Sequence, residues 1–163
     1  MNTPTLNLDA DFHLARIKAF LHRIVAVVLR QPRALLSYDE VRERLHLGGP
    51  IYRGLQTVRL DRIVGSGDRY RDFDRLFLPT QSHTEQRWNR INRAWYSEVS
   101  LPPVLLYKVG ETFFVIDGNH RGSVARARGQ DYIEAEVREC TSRVPVTPDL
   151  GPDDLERLGE KVD

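Results

Sequence analysis

Lysine, cysteine and methionine are scarce in this 163-residue chain, and no apolar run exceeds six residues. The single cysteine, Cys140, rules out an intrachain disulfide framework and a cysteine-based zinc site. It fits a reducing compartment. The longest apolar run, Ile24–Leu29, falls far short of the roughly 20 residues that span a bilayer. Residues 1–8 have neither the basic start nor the long apolar stretch of a secretory leader. The expectation is a soluble, cytoplasmic protein with no membrane partner. A strong charge of either sign is also missing: 24 Lys+Arg against 23 Asp+Glu leaves a net +1. No global field draws the chain to nucleic acid, so such binding would need a local patch.

What is present is arginine, the only lysines being Lys18, Lys108 and Lys161. Arginine suits bidentate contacts to phosphate, although a GC-rich coding sequence gives the same bias. Asp9–Arg30 has helical spacing, with Phe12, Ala15, Ile17, Phe20, Leu21, Ile24, Val27 and Val28 as the expected packed face. Arg16, Lys18, His22, Arg23 and Arg30 form the opposite, basic face, and Gln31-Pro32 is the expected stop. Ser37 to Glu40 resembles a capping box opening a short helix, Tyr38–Leu45. Gly48-Gly49-Pro50 breaks the chain, dividing it into a helical arm (1–50), a main unit (51–141) and an acidic tail (142–163). Within the main unit, Gly54–Ile63, Val104–Val109, Thr112–Ile116 and Ile133–Val137 read as strands. Gly65–Asp68 reads as a loop, and Glu85–Glu98 and Gly122–Arg128 as helices. Trp88, Ile91, Trp95 and Val99 share one face of the former. The tail reads as a peripheral helix, Pro152–Leu158, or as partly disordered. The fold class is α+β: a small mixed sheet with helices, preceded by a helical arm.

The chemistry concentrates in Phe113–Arg126, where a buried strand meets Gly118 and a helix follows at once. The first amides of a helix lack intrahelical partners and carry partial positive charge, so they receive anions. Gly118 permits close approach, Asn119 can cap, His120 and Arg121 can donate, and Ser123 offers a hydroxyl. Asp117 beside that anion calls for a metal, a base or a sugar hydroxyl. The corner can also be purely structural, with Asn119 only a cap. His13, His22 and His46 show no metal-ligand pattern.

The run Val115–Arg121, with Ala125 and Gly129, resembles the Gly-x-x-Arg turn of the ParB/sulfiredoxin-like superfamily. Val58–Ile63, Leu101–Leu106 and Ile133–Val137 resemble that family's flanking strands, in order, over about residues 55–140. The resemblance implies that Gly118, Asn119, His120 and Arg121 contact nucleotide phosphates. It implies CTP or ATP with Mg²⁺ as ligands, with Asp117 touching the metal or a hydroxyl. Asn119 stands where sulfiredoxins have cysteine, which argues against sulfinic-acid reduction. Arg69 or Arg71 is expected to reach the phosphates. Asp61 and Asp68 are candidate acidic residues, and His83 with Glu85 and the helix Arg87–Arg93 are further candidates for the site. His120 and Asp117 are the expected catalytic groups of a nucleotide-dependent phosphotransferase or NTPase. A second reading is a DNA-binding module or nuclease using the same turn with Arg69, Arg71, Arg87, Arg90 and Arg93. A third is a non-catalytic interaction module. The N-terminal helix is a candidate homodimer surface.

Overall fold

The computed structural model describes residues 7–29, 34–97 and 101–163. The expected helix stop at Gln31-Pro32, the positions of Arg30, Glu98 and Val99, and most of the leader reading lie outside the described residues.

The chain runs α1 (Leu8–Leu29), β1 (Leu36–Ser37), α2 (Tyr38–Arg44), β2 (Ile51–Arg59), β3 (Ile63–Ser66), α3 (Glu85–Tyr96), β4 (Val104–Val109), β5 (Thr112–Asp117), α4 (Asn119–Ala127), β6 (Tyr132–Cys140) and α5 (Pro152–Val162). The strands form one six-stranded mixed sheet in the order β1-β3-β5-β4-β6-β2. β3 is parallel to β1 and β5, β4 is parallel to β6, and β4/β5 and β2/β6 are antiparallel. The protein is therefore α+β. Gly65 and Ser66, expected in a loop, end β3 instead. Gly65 is registered with Leu36 on one side and Phe114 on the other, so ladder pairing outweighs local turn preference. α4 begins three residues before the expected Gly122, because Gly118 supplies the turn.

Alternation along β5 sends Phe113 and Val115 to one face of the sheet and Phe114 to the other. The first core joins Phe113 and Val115 to Phe12 of α1, Trp88 of α3 and Val124 of α4. The second joins Phe114 to Tyr38 and Val41 of α2, Leu155 of α5 and Val146 and Leu150 of the tail. The segments that the sequence sets apart as arm and tail are thus built into the two cores, and β1 extends the sheet. Cys140 is a buried packing residue beside the Tyr38 hydroxyl, 3.3 Å away.

The expected inner face of α1 is corrected. Phe12, Ala15, Ala19 and Ala26 are the buried positions, while Ile17, Phe20, Leu21, Ile24, Val27 and Val28 are exposed. The alanines are what let α1 lie close; Phe12 meets Trp88 edge to face at 5.7 Å. Asp11 accepts from Asn92 at 3.0 Å, and His22 meets the buried Asp74 carboxylate at 3.2 Å.

Arg75 holds the tail. Its guanidinium donates to the carbonyls of Ala34, Val64, Pro148 and Leu150, joining β3 to the residues before β1 and α5. Burial pushes its pKa down to about 10, so it remains charged at neutral pH. Arg75→Ala strands these carbonyls, and the expected loss is about 2–4 kcal/mol, read as a lower urea midpoint at unchanged slope.

Candidate anion-binding site

β5 brings Asp117 to the carboxyl edge of the sheet, beside the end of its parallel neighbour β3. The chain must then enter α4 within one residue. Gly118 does so with φ 105°, a left-handed conformation that favours glycine. A Cβ there would lie 2.5 Å from Val104 Cγ1. Gly118 is required by this turn and by its contact with β4, whatever else the corner holds. The first helical hydrogen bond runs from the Gly122 amide to the Gly118 carbonyl at 3.0 Å, and no side chain caps α4. The amides of Asn119, His120 and Arg121 precede that bond and form the positive end of the helix.

Asn119 is not the helix cap. It is buried, accepts from Ser66 Oγ at 2.8 Å and donates to Asp68 Oδ1 at 3.3 Å. Ser66 Oγ in turn accepts the Arg69 amide at 3.2 Å. Together these bonds fix the loop after β3 against the start of α4, and with it Asp68 and Arg69. The result is a cleft of about 250 Å³. Asp68 and Arg69 form one wall, Arg87, Arg90 and Ile91 of α3 another, and Ile116–Arg121 the floor.

The arginines differ in their commitments. Arg69 donates to Asp72 Oδ2 at 3.2 Å. Arg87 and Arg90 sit on the exposed side of α3, away from Trp88, and make no ion pair among the described residues. The sequence offers the helix Arg87–Arg93 as a further candidate beside Arg69 and Arg71, and the structure brings Arg87 and Arg90 of that helix to the cleft. Arg121 corrects an expectation. Its Nη1 donates to the carbonyls of Pro102 (2.6 Å) and Pro103 (3.0 Å), and its Nη2 to Asp117 Oδ2 (2.9 Å). It braces the corner, leaving Nε–H and one Nη2–H without partners among the described residues. Asp117 gives Oδ2 to the same guanidinium, while its side chain stays 77% exposed at the cleft and Oδ1 has no partner among the described residues. Among the described residues no group of three or more His, Cys, Asp or Glu side chains is arranged to hold a metal.

His120 lines the cleft with its ring edge against Phe73, centroids 5.3 Å apart. Its Nδ1 is buried without a hydrogen-bond partner. Burial, then Arg87 and Arg69, push its pKa down to about 4, against weaker pulls from Asp72 and Asp68. It is a neutral imidazole at pH 7, with one N–H and one lone pair. Ser123 is not at the site: it is fully buried and accepts from Trp88 Nε1 at 2.9 Å, because its position on α4 faces α3. Arg71 is exposed, packs over the Tyr70 ring at 5.5 Å and does not line the cleft. Asp61 pairs with Arg59 at 2.6 Å, and His83 with Asp72 at 3.3 Å. A second, more apolar cleft of about 400 Å³ shares Arg121 and is walled by Trp95, Pro102, Pro103, Val104, Tyr132 and Ile133.

No family model matches the chain, and a search of curated proteins finds no match. Among solved structures, sulfiredoxin from Arabidopsis thaliana superposes with a TM-score of 0.42 and 17% identity, covering 55% of this chain and 89% of that one. No helix among the described residues is long and apolar enough to cross a membrane.

Two outcomes follow from the geometry. Gly118→Ala combines a left-handed backbone with a clash on Val104, and thermal unfolding should show a loss of about 2–4 kcal/mol. For His120, the unfolded chain takes up a proton near the ordinary pKa of 6.5, whereas the folded chain resists until about 4. Its contribution is therefore complete above pH 6.5 and is lost on acidification toward pH 4. Melting temperatures in acetate and MES buffers should fall less steeply over that window in His120→Gln than in the parent. Parallel curves would show that the imidazole is not held neutral.

Proposed function

We propose that the corner binds the phosphates of a nucleotide, CTP or ATP, accompanied by Mg²⁺. The observation that carries this reading is the convergence of the uncapped amides of Asn119–Arg121 with Arg69, Arg87 and Arg90 in one cleft. Ionised oxygens there would gain several charge-assisted hydrogen bonds together, and Arg87 and Arg90 would give up no internal ion pair to make them. The adjoining apolar cleft with Trp95 and Tyr132 supports a nucleotide over a bare anion, since a base needs a flat apolar wall. The resemblance of residues 55–140 to ParB/sulfiredoxin-like sequences supports the same reading.

Magnesium would enter with the phosphates, because the carboxylates make no site by themselves; Asp68 and Asp117 are the carboxylates at the cleft, with side chains 69% and 77% exposed. Phosphoryl transfer or nucleotide hydrolysis is the reaction class such a cleft serves. In it the arginines would spread charge over the phosphoryl oxygens, and His120, neutral in the free protein, would donate its single N–H. Arg121 and Asp117 would act by holding the turn in shape. A second reading takes its support from Arg87, Arg90 and Arg93, exposed at three-residue steps along α3, which form a basic stripe leading out of the cleft. On that reading the bound phosphate belongs to a nucleic-acid backbone.

Calorimetry with CTP and ATP, each with Mg²⁺, tests the proposal. Binding heat is expected, with Arg87→Ala and Arg90→Ala each weakening affinity by about tenfold, the loss of one charge-assisted contact. Arg71→Ala should leave it unchanged. An absence of heat with both nucleotides, or full affinity in the Arg87→Ala/Arg90→Ala double variant, overturns it. Salt-dependent retention of DNA in a gel shift, without nucleotide binding, favours the second reading.

A further inference from the structure

The outer face of α1 carries Leu14, Ile17, Leu21, Ile24 and Val28, a repeat of alternating three- and four-residue steps. That is the spacing of a coiled-coil seam, with Leu14, Leu21 and Val28 at the first core position and Ile17 and Ile24 at the second. The seam lies opposite the face that packs on the domain, which is Phe12, Ala15, Ala19 and Ala26. Nothing in the described chain covers it: the seam residues are 51%, 55%, 54%, 47% and 75% exposed. Phe20, Val25 and Val27 flank it, each more than half exposed. An isolated apolar side chain on a surface is ordinary, but a continuous band along three turns is not.

We propose that this band is filled by the same band of further copies of the chain, so that α1 helices pack on one another. The pattern itself points to the occupant. Parallel packing of the helices sets Leu21 of each copy in one layer, at the centre of the seam, with an isoleucine layer to either side. Lys18 is the only charged side chain within the band, so few charges are desolvated on pairing. Eight large apolar side chains, each about half exposed or more, share this face, and a standard interface takes about 800 Å² from each partner. Leucine at the first core position, isoleucine at the second and apolar flanks favour more than two helices, four being the expected number. A lipid surface fits less well: the residues opposite the seam are buried alanines packed on the domain rather than a charged, water-facing side.

Light scattering after gel filtration, at tens of micromolar, reads the result against a chain mass of 18.8 kDa. The parent should run at a multiple of that mass. Leu21→Glu and Leu21→Lys should each run as monomers with unchanged circular dichroism, since the side chain is exposed. Mixing these two variants should restore the larger species, because residue 21 meets residue 21. A monomeric parent overturns the proposal, as does an assembly that survives Leu21→Glu. Co-sedimentation of a monomeric parent with anionic vesicles, abolished by Leu21→Glu, would assign the band to lipid and overturn it equally.

Discussion

The corner depends on one guanidinium. Arg121 ties the carbonyls before β4 to the carboxylate at the end of β5, from a position on the first turn of α4. Three pieces of chain that would otherwise splay are held within hydrogen-bond distance of one planar group, whose fork geometry suits this better than an ammonium would. The brace also explains Asp117. Its Oδ2 accepts from the arginine that it helps to position, beside the positive end of α4. Gly118 completes the arrangement, since only a residue without a Cβ leaves room for Val104 beneath the turn.

With Arg121 engaged, the electrostatics of the cleft rest on α3 and on the loop after β3. Burial first, and then Arg87 and Arg69, keep the His120 imidazole uncharged. An anion entering the cleft relieves exactly those repulsions that a proton on His120 would increase. Arg87 and Arg90, without ion pairs among the described residues, leave the cleft with an excess of positive charge.

Much of this was legible in the sequence. The strand, glycine and helix of Phe113–Arg128 could be read because periodicity and a positive-φ glycine are local signals. Val104–Val109 and Thr112–Ile116 are legible as apolar runs on either side of the Gly110-Glu111 turn. What was not legible depended on partners distant in sequence. Asn119 looks like a cap until Ser66 and Asp68 come beside it. Arg121 looks like a free donor until Pro102 and Pro103 are seen to bend back toward it. The inner face of α1 was misread because large apolar residues outrank alanine in any hydrophobic pattern, whereas close helix packing selects the small ones. The tail, Pro- and acid-rich, hides the buried Val146, Leu150 and Leu155 that complete the second core.

Ser123 shows how a residue away from the cleft still shapes it. Its buried hydroxyl accepts from Trp88, and Trp88 meets Phe12 of α1 on its other side. Those two contacts fix the rotation of α3 about its own axis. Successive residues on a helix are turned by about 100°, so the orientation of Trp88 toward the core dictates where Arg87 and Arg90 point. A rotation of one residue would carry both cations out of the cleft and leave the α4 amides facing solvent alone. The charge of the cleft is thus set by an apolar side chain and its one polar atom, which is why packing in the first core and the placement of Arg87 and Arg90 at the edge of the sheet cannot be varied independently.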